Sequence, residues 1–132
     1  MTPFALLASL AGLSHREAAE FLNVRVDTAK SWSAGRRACP AYALDELKAL
    51  IARQERAARE PDAIELGYPA DDAEARALGW TCVGAWRAMA ARLLAVEPRA
   101  RLVPRGSTPA TAAAGDARES RDYGSTAEPR RR

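Results

Sequence analysis

Apolar residues recur at helical spacing through most of the first 60 residues. Pro3 is a favoured first residue of a helix, and the apolar positions that follow it lie three residues apart. These positions are Phe4, Leu7 and Leu10. A longer stripe starts after Pro40 and runs towards Pro61, where a helix must stop. The pattern predicts an amphipathic helix at each end of this stretch, the second along Leu44, Leu47, Leu50 and Ile51.

Two shorter helices are predicted between them. Ser14 begins a capping box with the glutamate three residues later, in which each side chain satisfies a free backbone amide. The first helix is expected over His15–Leu22 and ends at Asn23, because asparagine tolerates the left-handed conformation. The second is expected over about Val26–Ala34 and ends at Gly35.

Residues 61–97 combine a short extended piece with further helical patterns. Residues 64–66, which precede a Gly-Tyr-Pro sequence, are compatible with an extended segment. Asp71 can cap a helix that ends at Gly79, and the stretch Val83–Val96 has one apolar face. We therefore predict an all-α fold, a bundle of four to five helices with a helical C-terminal extension.

The large apolar residues stop well before the end of the chain. The 132 residues are 48% hydrophobic, but 31 of the hydrophobic residues are alanine. The other 32, Tyr123 excepted, lie at or before Val103. Because a segment without apolar surface cannot offset the entropy of ordering it, residues 98–132 are predicted to be a disordered, Arg-rich tail. Residues 102–107 read LVPRGS, the recognition sequence of thrombin, which we interpret as a coincidence.

Composition excludes several classes of protein. No apolar run approaches the ~20 residues of a membrane span, and no basic residues precede the first apolar stretch as in a signal peptide, so we expect a cytoplasmic protein without a membrane partner. Cys39 and Cys82 form no CxxC motif and His15 is the single histidine, so no metal, cofactor or disulfide is expected. Without an arranged nucleophile the chain is not expected to be an enzyme, and no small-molecule ligand is evident.

The net charge of +3 is unevenly distributed. Residues 1–60 carry nine basic and seven acidic side chains, residues 61–97 carry three and six, and residues 98–132 carry eight and four. Only +2 therefore belongs to the first segment. The bulk charge supports binding to a polyanion only faintly, and the placement of individual basic residues matters more.

The stretch from His15 to Pro40 meets the constraints of a helix-turn-helix. Two short helices that cross at about 90–120° need a small residue where they touch, and Ala19 stands there. Four residues later the turn needs a positive φ, which Asn23 can supply. Apolar residues must fill the space between the helices, and those at the required places are Ala18, Leu22, Val24, Ala29 and Trp32.

These residues resemble the helix-turn-helix of lambda-repressor-like (Cro/cI, XRE-type) DNA-binding proteins. The family pattern reads LS-Q-x-E-A-A-x-x-L-G-V, then S-x-x-T-V-x-x-W-E-x-G-x-R-x-P. The corresponding residues are Leu13, Ser14, Glu17, Ala18, Ala19, Leu22, Asn23, Val24, Thr28, Ala29, Trp32, Gly35, Arg37 and Pro40. The ending SW-x-x-GRR-x-x-P is similar to small phage and bacterial regulators, including anti-CRISPR-associated and YdiL-like repressors. The resemblance covers about residues 3–60, and His15, Arg25 and Ser33 depart from it.

The resemblance implies that the second short helix enters the major groove of DNA with its first residues towards base edges. Val26 is expected to touch a thymine methyl group, and Asp27 to accept a hydrogen bond from cytosine N4. Thr28 and Ser31 can bind either base or phosphate. The expected phosphate contacts are His15, Arg25, Lys30, Arg36 and Arg37.

Other interpretations of these residues stay open. Trp32 is expected to be a core residue, and the Arg36-Arg37 pair can equally be a solvated loop. Asp27 can be a helix-start charge instead of a base contact. Arg25 has no side-chain oxygen with which to cap the helix, so the helix is allowed to start one residue later than predicted.

The sequence thus predicts three parts: a helix-turn-helix DNA-binding domain (1–60), a helical dimerisation or packing segment (61–97) and the tail (98–132). Residues 61–97 contain Tyr68, Trp80 and Trp86 but are too few to bury them alone, so we expect them to pack on the 47–51 face and on a second subunit. The expected function is a dimeric transcriptional repressor on double-stranded DNA. The alternatives are an antitoxin-like or adaptor protein-interaction module and an excisionase-like architectural protein.

Overall fold

The computed structural model describes residues 1–61 and 64–112. Its elements follow in the order α1 (Pro3–Leu10), α2 (His15–Leu22), α3 (Val26–Ala34), α4 (Ala41–Arg59), β1 (Glu65–Tyr68), α5 (Asp72–Ala77), α6 (Val83–Val96) and β2 (Arg101–Pro104). A helical turn over residues 109–112 follows. The predicted helices are all present, and the extended piece expected near residues 64–66 is strand β1.

The fold is mainly helical, but the prediction of an all-α protein was wrong. β1 and β2 pair in parallel as a two-stranded sheet, with Glu65 opposite Arg101 and Tyr68 opposite Pro104. An ion pair with an N···O distance of 2.7 Å joins the side chains of Glu65 and Arg101 across the sheet. The pairing joins segments 36 residues apart, and strands of four residues carry little periodic signal.

The prediction of a disordered tail from residue 98 was also wrong for its first part. Residues 101–104 form β2, and Gly67 of β1 lies against the side chain of Thr111, which is buried. The Thr108 hydroxyl donates a hydrogen bond to Glu65 Oε1 at 2.6 Å. Contacts with β1 therefore replace the apolar burial that residues 98–112 lack. The prediction for residues 113–132 lies outside the described residues.

The thrombin-like sequence of residues 102–107 falls in β2 and the turn after it. The backbone amide of Arg105 donates a hydrogen bond to the carbonyl of Tyr68 at 3.0 Å. The residues before the Arg105–Gly106 bond are thus already paired as a strand.

The core is shared between the N-terminal helices and α6. α4 is the central element: α1 packs on it, and α6 packs along it. Trp80 and Trp86 are both buried in the same core as Leu47 and Ile51. The predicted packing of residues 61–97 on the 47–51 face is therefore present. Since the chain buries both tryptophans by itself, they leave no exposed surface that requires a second subunit.

A buried glutamine joins three helices at the centre of this core. Gln54 of α4 is fully buried, and its Nε2 donates to two backbone carbonyls. One belongs to Ala11 at the end of α1, at 2.9 Å, and the other to Ala85 of α6, at 3.0 Å. Each hydrogen bond fixes a helix relative to α4, and the amide would be costly to bury without them.

Two glycines allow α1 and α6 to approach each other closely. Gly12 has a φ of +82°, and a Cβ atom added there would overlap the carbonyl of Gly84. A Cβ added to Gly84 would in turn overlap the carbonyl oxygen of Gly12. The obstacle in both cases is backbone, which cannot move aside as a flexible side chain can. Arg92 strengthens the same junction by donating to the carbonyl of Leu10 at 3.1 Å.

The segment before α6 is held to α4 by an arginine. The Arg53 guanidinium lies 4.1 Å from the ring centroid of Trp80, a cation–π geometry, and it also donates to the carbonyl of Gly79. Asp71 caps α5, as predicted, by accepting from the amide of Glu74 at 2.9 Å. Residues 71–83 therefore have fixed ends on both α4 and α6.

Replacing Gly84 by alanine tests the close approach of α1 and α6. In an unobstructed helix Gly→Ala stabilises by up to about 1 kcal/mol, whereas here the methyl group meets the Gly12 backbone. We expect Gly84→Ala to destabilise the protein by about 2 kcal/mol, the cost of overpacking, in urea unfolding followed by circular dichroism. Arg87→Ala, at an exposed position of the same helix, should change stability little. A stabilising Gly84→Ala would contradict the close approach.

Candidate nucleic-acid interface

The first helix of the motif starts at the predicted capping box. The Ser14 hydroxyl accepts a hydrogen bond from the amide of Glu17 at 3.1 Å, and the Glu17 carboxylate accepts from the Ser14 amide at 2.9 Å. Ala18, Ala19 and Leu22 of α2 are buried. The box thus defines where α2 begins, and its three buried residues define which side faces the core.

The turn between α2 and α3 has the predicted left-handed residue. Asn23 has φ 56° and ψ 49°, and no other non-glycine residue in the described ranges has a positive φ. The amide of Val24 then donates to the carbonyl of Ala19 at 2.9 Å. Ala19 is 1% exposed, so a larger side chain there has no room. The sequence prediction of a tight helix-turn-helix corner is confirmed.

Helix α3 starts at Val26, so the allowance for a later start was not needed. Arg25 is its N-cap residue and, as expected, makes no side-chain capping hydrogen bond. Asp27 lies in the first turn, where a negative charge interacts favourably with the helix dipole. Gly35 ends the helix with a φ of +81°. α3 therefore has its predicted bounds without the hydroxyl cap usual at its start.

Buried residues on one side of α3 fix its orientation. Ala29 is fully buried and Trp32 is 6% exposed, which confirms the prediction that Trp32 is a core residue. The Trp32 ring meets Phe4 of α1 edge-on, with ring centroids 5.6 Å apart and an interplanar angle of 72°. Aromatic pairs favour this arrangement. α1 consequently supports the side of α3 that faces the protein.

The predicted site residues all retain solvent exposure. Six of the nine are exposed, namely His15, Arg25, Asp27, Lys30, Arg36 and Arg37. The other three, Val26, Thr28 and Ser31, are half-buried. They belong to the start of α2, to α3 with its N-cap, and to the loop after α3. The polar side of α3 thus faces solvent, with arginines immediately before and after the helix.

Two contacts that the sequence analysis missed hold the last turn of α3. The Nε2 atom of His15 lies 3.2 Å from Ser33 Oγ, and the Thr2 hydroxyl donates to the Ser33 carbonyl at 2.9 Å. Thr2 also caps α1, since its Oγ1 accepts from the Ala5 amide at 3.2 Å. A threonine directly before Pro3 is a recognisable cap signal, but its bond to Ser33, 31 residues away, leaves no local pattern.

The cysteines play no part in this surface. Cys82 is buried and Cys39 is half-buried, and both are free thiols. Burial raises the pKa of each thiol above its ordinary value, which keeps both protonated at neutral pH. Within residues 1–61 and 64–112 no group of three or more His, Cys, Asp or Glu side chains is placed to hold a metal ion.

Comparisons with known proteins add no relative to this picture. No protein-family model, curated protein or solved structure matches the chain. Among the helices of the described ranges, none has the length and apolar character needed to cross a membrane.

Arg25→Ser tests whether the start of α3 lacks a cap. A serine hydroxyl at this position can accept the hydrogen bond that arginine cannot, so we expect a gain of about 0.5–1 kcal/mol in the free energy of unfolding. Urea denaturation measures the gain. Arg16→Ser removes the same charge from an exposed position inside α2 and should give no gain. Equal stability of wild type and Arg25→Ser would show that the helix start is already satisfied.

Proposed function

We propose that the protein is a sequence-specific DNA-binding transcriptional regulator that represses by occupying a promoter. The observation that carries the proposal is the α2–turn–α3 unit, in which α3 is held by Ala29 and Trp32 on one side and is polar and exposed on the other. An α-helix with its side chains is about 10–12 Å wide, and the major groove of DNA is about 12 Å wide. The exposed side of α3 therefore fits this groove.

The arginines at the two ends of α3 support phosphate contacts on both edges of the groove. Arg25 precedes the helix, and Arg36 and Arg37 follow it. A helix of nine residues is about 14 Å long, comparable to the groove that it has to cross. Lys30 adds a positive charge on the exposed side, and His15 is a further phosphate contact held in place by Ser33. Such contacts position a protein on DNA without reading sequence.

Sequence is read, in this proposal, by the first turns of α3. Asp27 is exposed and can accept from cytosine N4, while Val26 offers an apolar contact to a thymine methyl group. Thr28 and Ser31 are half-buried and bind base or phosphate. Repressors with this motif read two half-sites about 34 Å apart, so we propose a cytoplasmic homodimer on an inverted repeat.

Selection of bound sequences from random double-stranded DNA tests the function directly. A palindromic motif supports a dimeric sequence-specific regulator. Enrichment of no motif would favour the protein-interaction alternative, and bending detected by circular permutation would favour the architectural one.

The Arg36-Arg37 pair should contribute to affinity regardless of DNA sequence. We expect the double variant Arg36→Ala with Arg37→Ala to bind selected DNA about 10- to 100-fold more weakly at fixed salt, since each charged contact contributes roughly tenfold. The slope of log affinity against log salt should fall by about 2. Fluorescence anisotropy measures both quantities.

The matched control is the double variant Arg56→Ala with Arg59→Ala, which removes two exposed arginines from the last turn of α4. Its affinity should decrease less, and its salt slope should stay close to that of the wild type. Equal losses in the two double variants would show that only net charge matters.

Asp27→Ala separates base reading from repulsion. Removing an acid from a surface that faces DNA should strengthen non-specific binding, whereas losing the cytosine contact should relax the preference at one base pair by about 1–3 kcal/mol. Repeating the selection with this variant measures the second effect. Glu20→Ala removes an exposed acid from α2 and should leave the selected motif unchanged. An unchanged motif for Asp27→Ala would leave it the role of a helix-start charge.

A further inference from the structure

The outward face of α1 is apolar and open to solvent. Met1, Leu6 and Leu10 are 95%, 55% and 53% exposed, and Pro3 is exposed beside them. The opposite face of the same helix carries Phe4 and Ala8, which are buried in the core. α1 is therefore apolar on both sides, whereas helices that lie on a protein surface normally have a polar outer face.

The segment is also free of ionisable side chains, since the first in the chain is His15. α4 shows the contrast, because its exposed positions include Lys48, Glu55, Arg56 and Arg59. Exposed apolar positions without any intervening charge are typical of a surface that is covered in the working protein.

The remaining occupants available to this face are poor matches. Residues 113–132 contain one large apolar residue, Tyr123, and carry nine of the charges of the chain, so they offer no apolar complement. DNA needs basic residues, of which residues 1–14 have none. Anionic lipid surfaces need basic residues for the same reason.

We propose that the outer face of α1 is the surface on which a second copy of this chain docks. A two-fold interface brings the same patch together from both copies, so a patch without charge avoids repulsion against itself. With the two helices antiparallel, Leu6 of each copy meets Leu10 of the other. The proposal rests on the pairing of two copies stated above, but it does not depend on DNA.

The size of the face sets the expected strength of the dimer. It presents four exposed side chains, whereas a stable interface buries about 800 Å² and 20–30 residues on each partner. The dimer is therefore weak in solution, with dissociation in the micromolar range or above. Two adjacent half-sites on DNA would raise the local concentration and favour it.

Sedimentation equilibrium of the full chain without DNA tests the proposal over about 10 μM to 1 mM. We expect a wild-type monomer–dimer equilibrium, and at least a tenfold weaker one for the double variant Leu6→Glu with Leu10→Glu. Leu94→Glu is the matched control, because Leu94 is 41% exposed on α6 and carries the same change. It should dimerise as the wild type does. Circular dichroism confirms that each variant is folded, and Leu6→Gln with Leu10→Gln replaces the charged pair if that pair unfolds.

Three results would overturn the proposal: a wild type that stays monomeric at 1 mM, a folded double variant that dimerises as strongly as the wild type, or equal weakening by Leu94→Glu. Binding of the wild type to phosphatidylcholine vesicles with loss of the dimer would also overturn it, in favour of a lipid occupant. Affinity for DNA carrying a single half-site is measured in parallel. Loss of that affinity in the wild type would reject DNA binding and leave the dimer unaffected.

Discussion

Gln54 is the residue on which the relative placement of the helices depends. It is fully buried where α1, α4 and α6 meet, and its amide donates to the carbonyls of Ala11 and Ala85. Apolar contacts tolerate small shifts of one helix along another, whereas a buried amide is satisfied only when both acceptors are in reach. A displacement of α6 along α4 would leave the amide and its acceptors unpaired at a cost of roughly 1–3 kcal/mol for each group. The polar link therefore selects one arrangement from several that would bury similar apolar area.

The position of α3 follows from this arrangement through α1. α1 is fixed at its end by Gln54 and Arg92 and by the close approach of Gly12 to Gly84. Its first turn then holds α3 through the bond from the Thr2 hydroxyl to the Ser33 carbonyl and through the ring contact with Trp32. The exposed side of α3 is thus oriented by contacts that extend to the C-terminal half of the chain. Rigid support of this kind keeps the polar groups of α3 in one geometry, as a reading surface requires.

The sequence predicted the features that depend on neighbouring residues. The capping box at Ser14, the left-handed turn at Asn23 and the ends of α3 are local signals, and the structure has each of them. What it did not predict depends on residues far apart in the chain. Gln54 is polar within an apolar stripe, and nothing nearby marks it as buried. The β1–β2 pairing and the bond between His15 and Ser33 likewise join distant segments, so no local pattern announces them.

The shared core has a consequence for how the protein responds to a ligand. α6 covers the face of α4 that the first 60 residues would otherwise leave open, so the helix-turn-helix is not an autonomous unit with its own core. Opening α6 exposes Leu47 and Ile51 and removes an acceptor from Gln54, which ties local opening of one half to that of the other. Any molecule that binds the native surface of α3 then slows hydrogen exchange in α6 as well, because both belong to one cooperative unit.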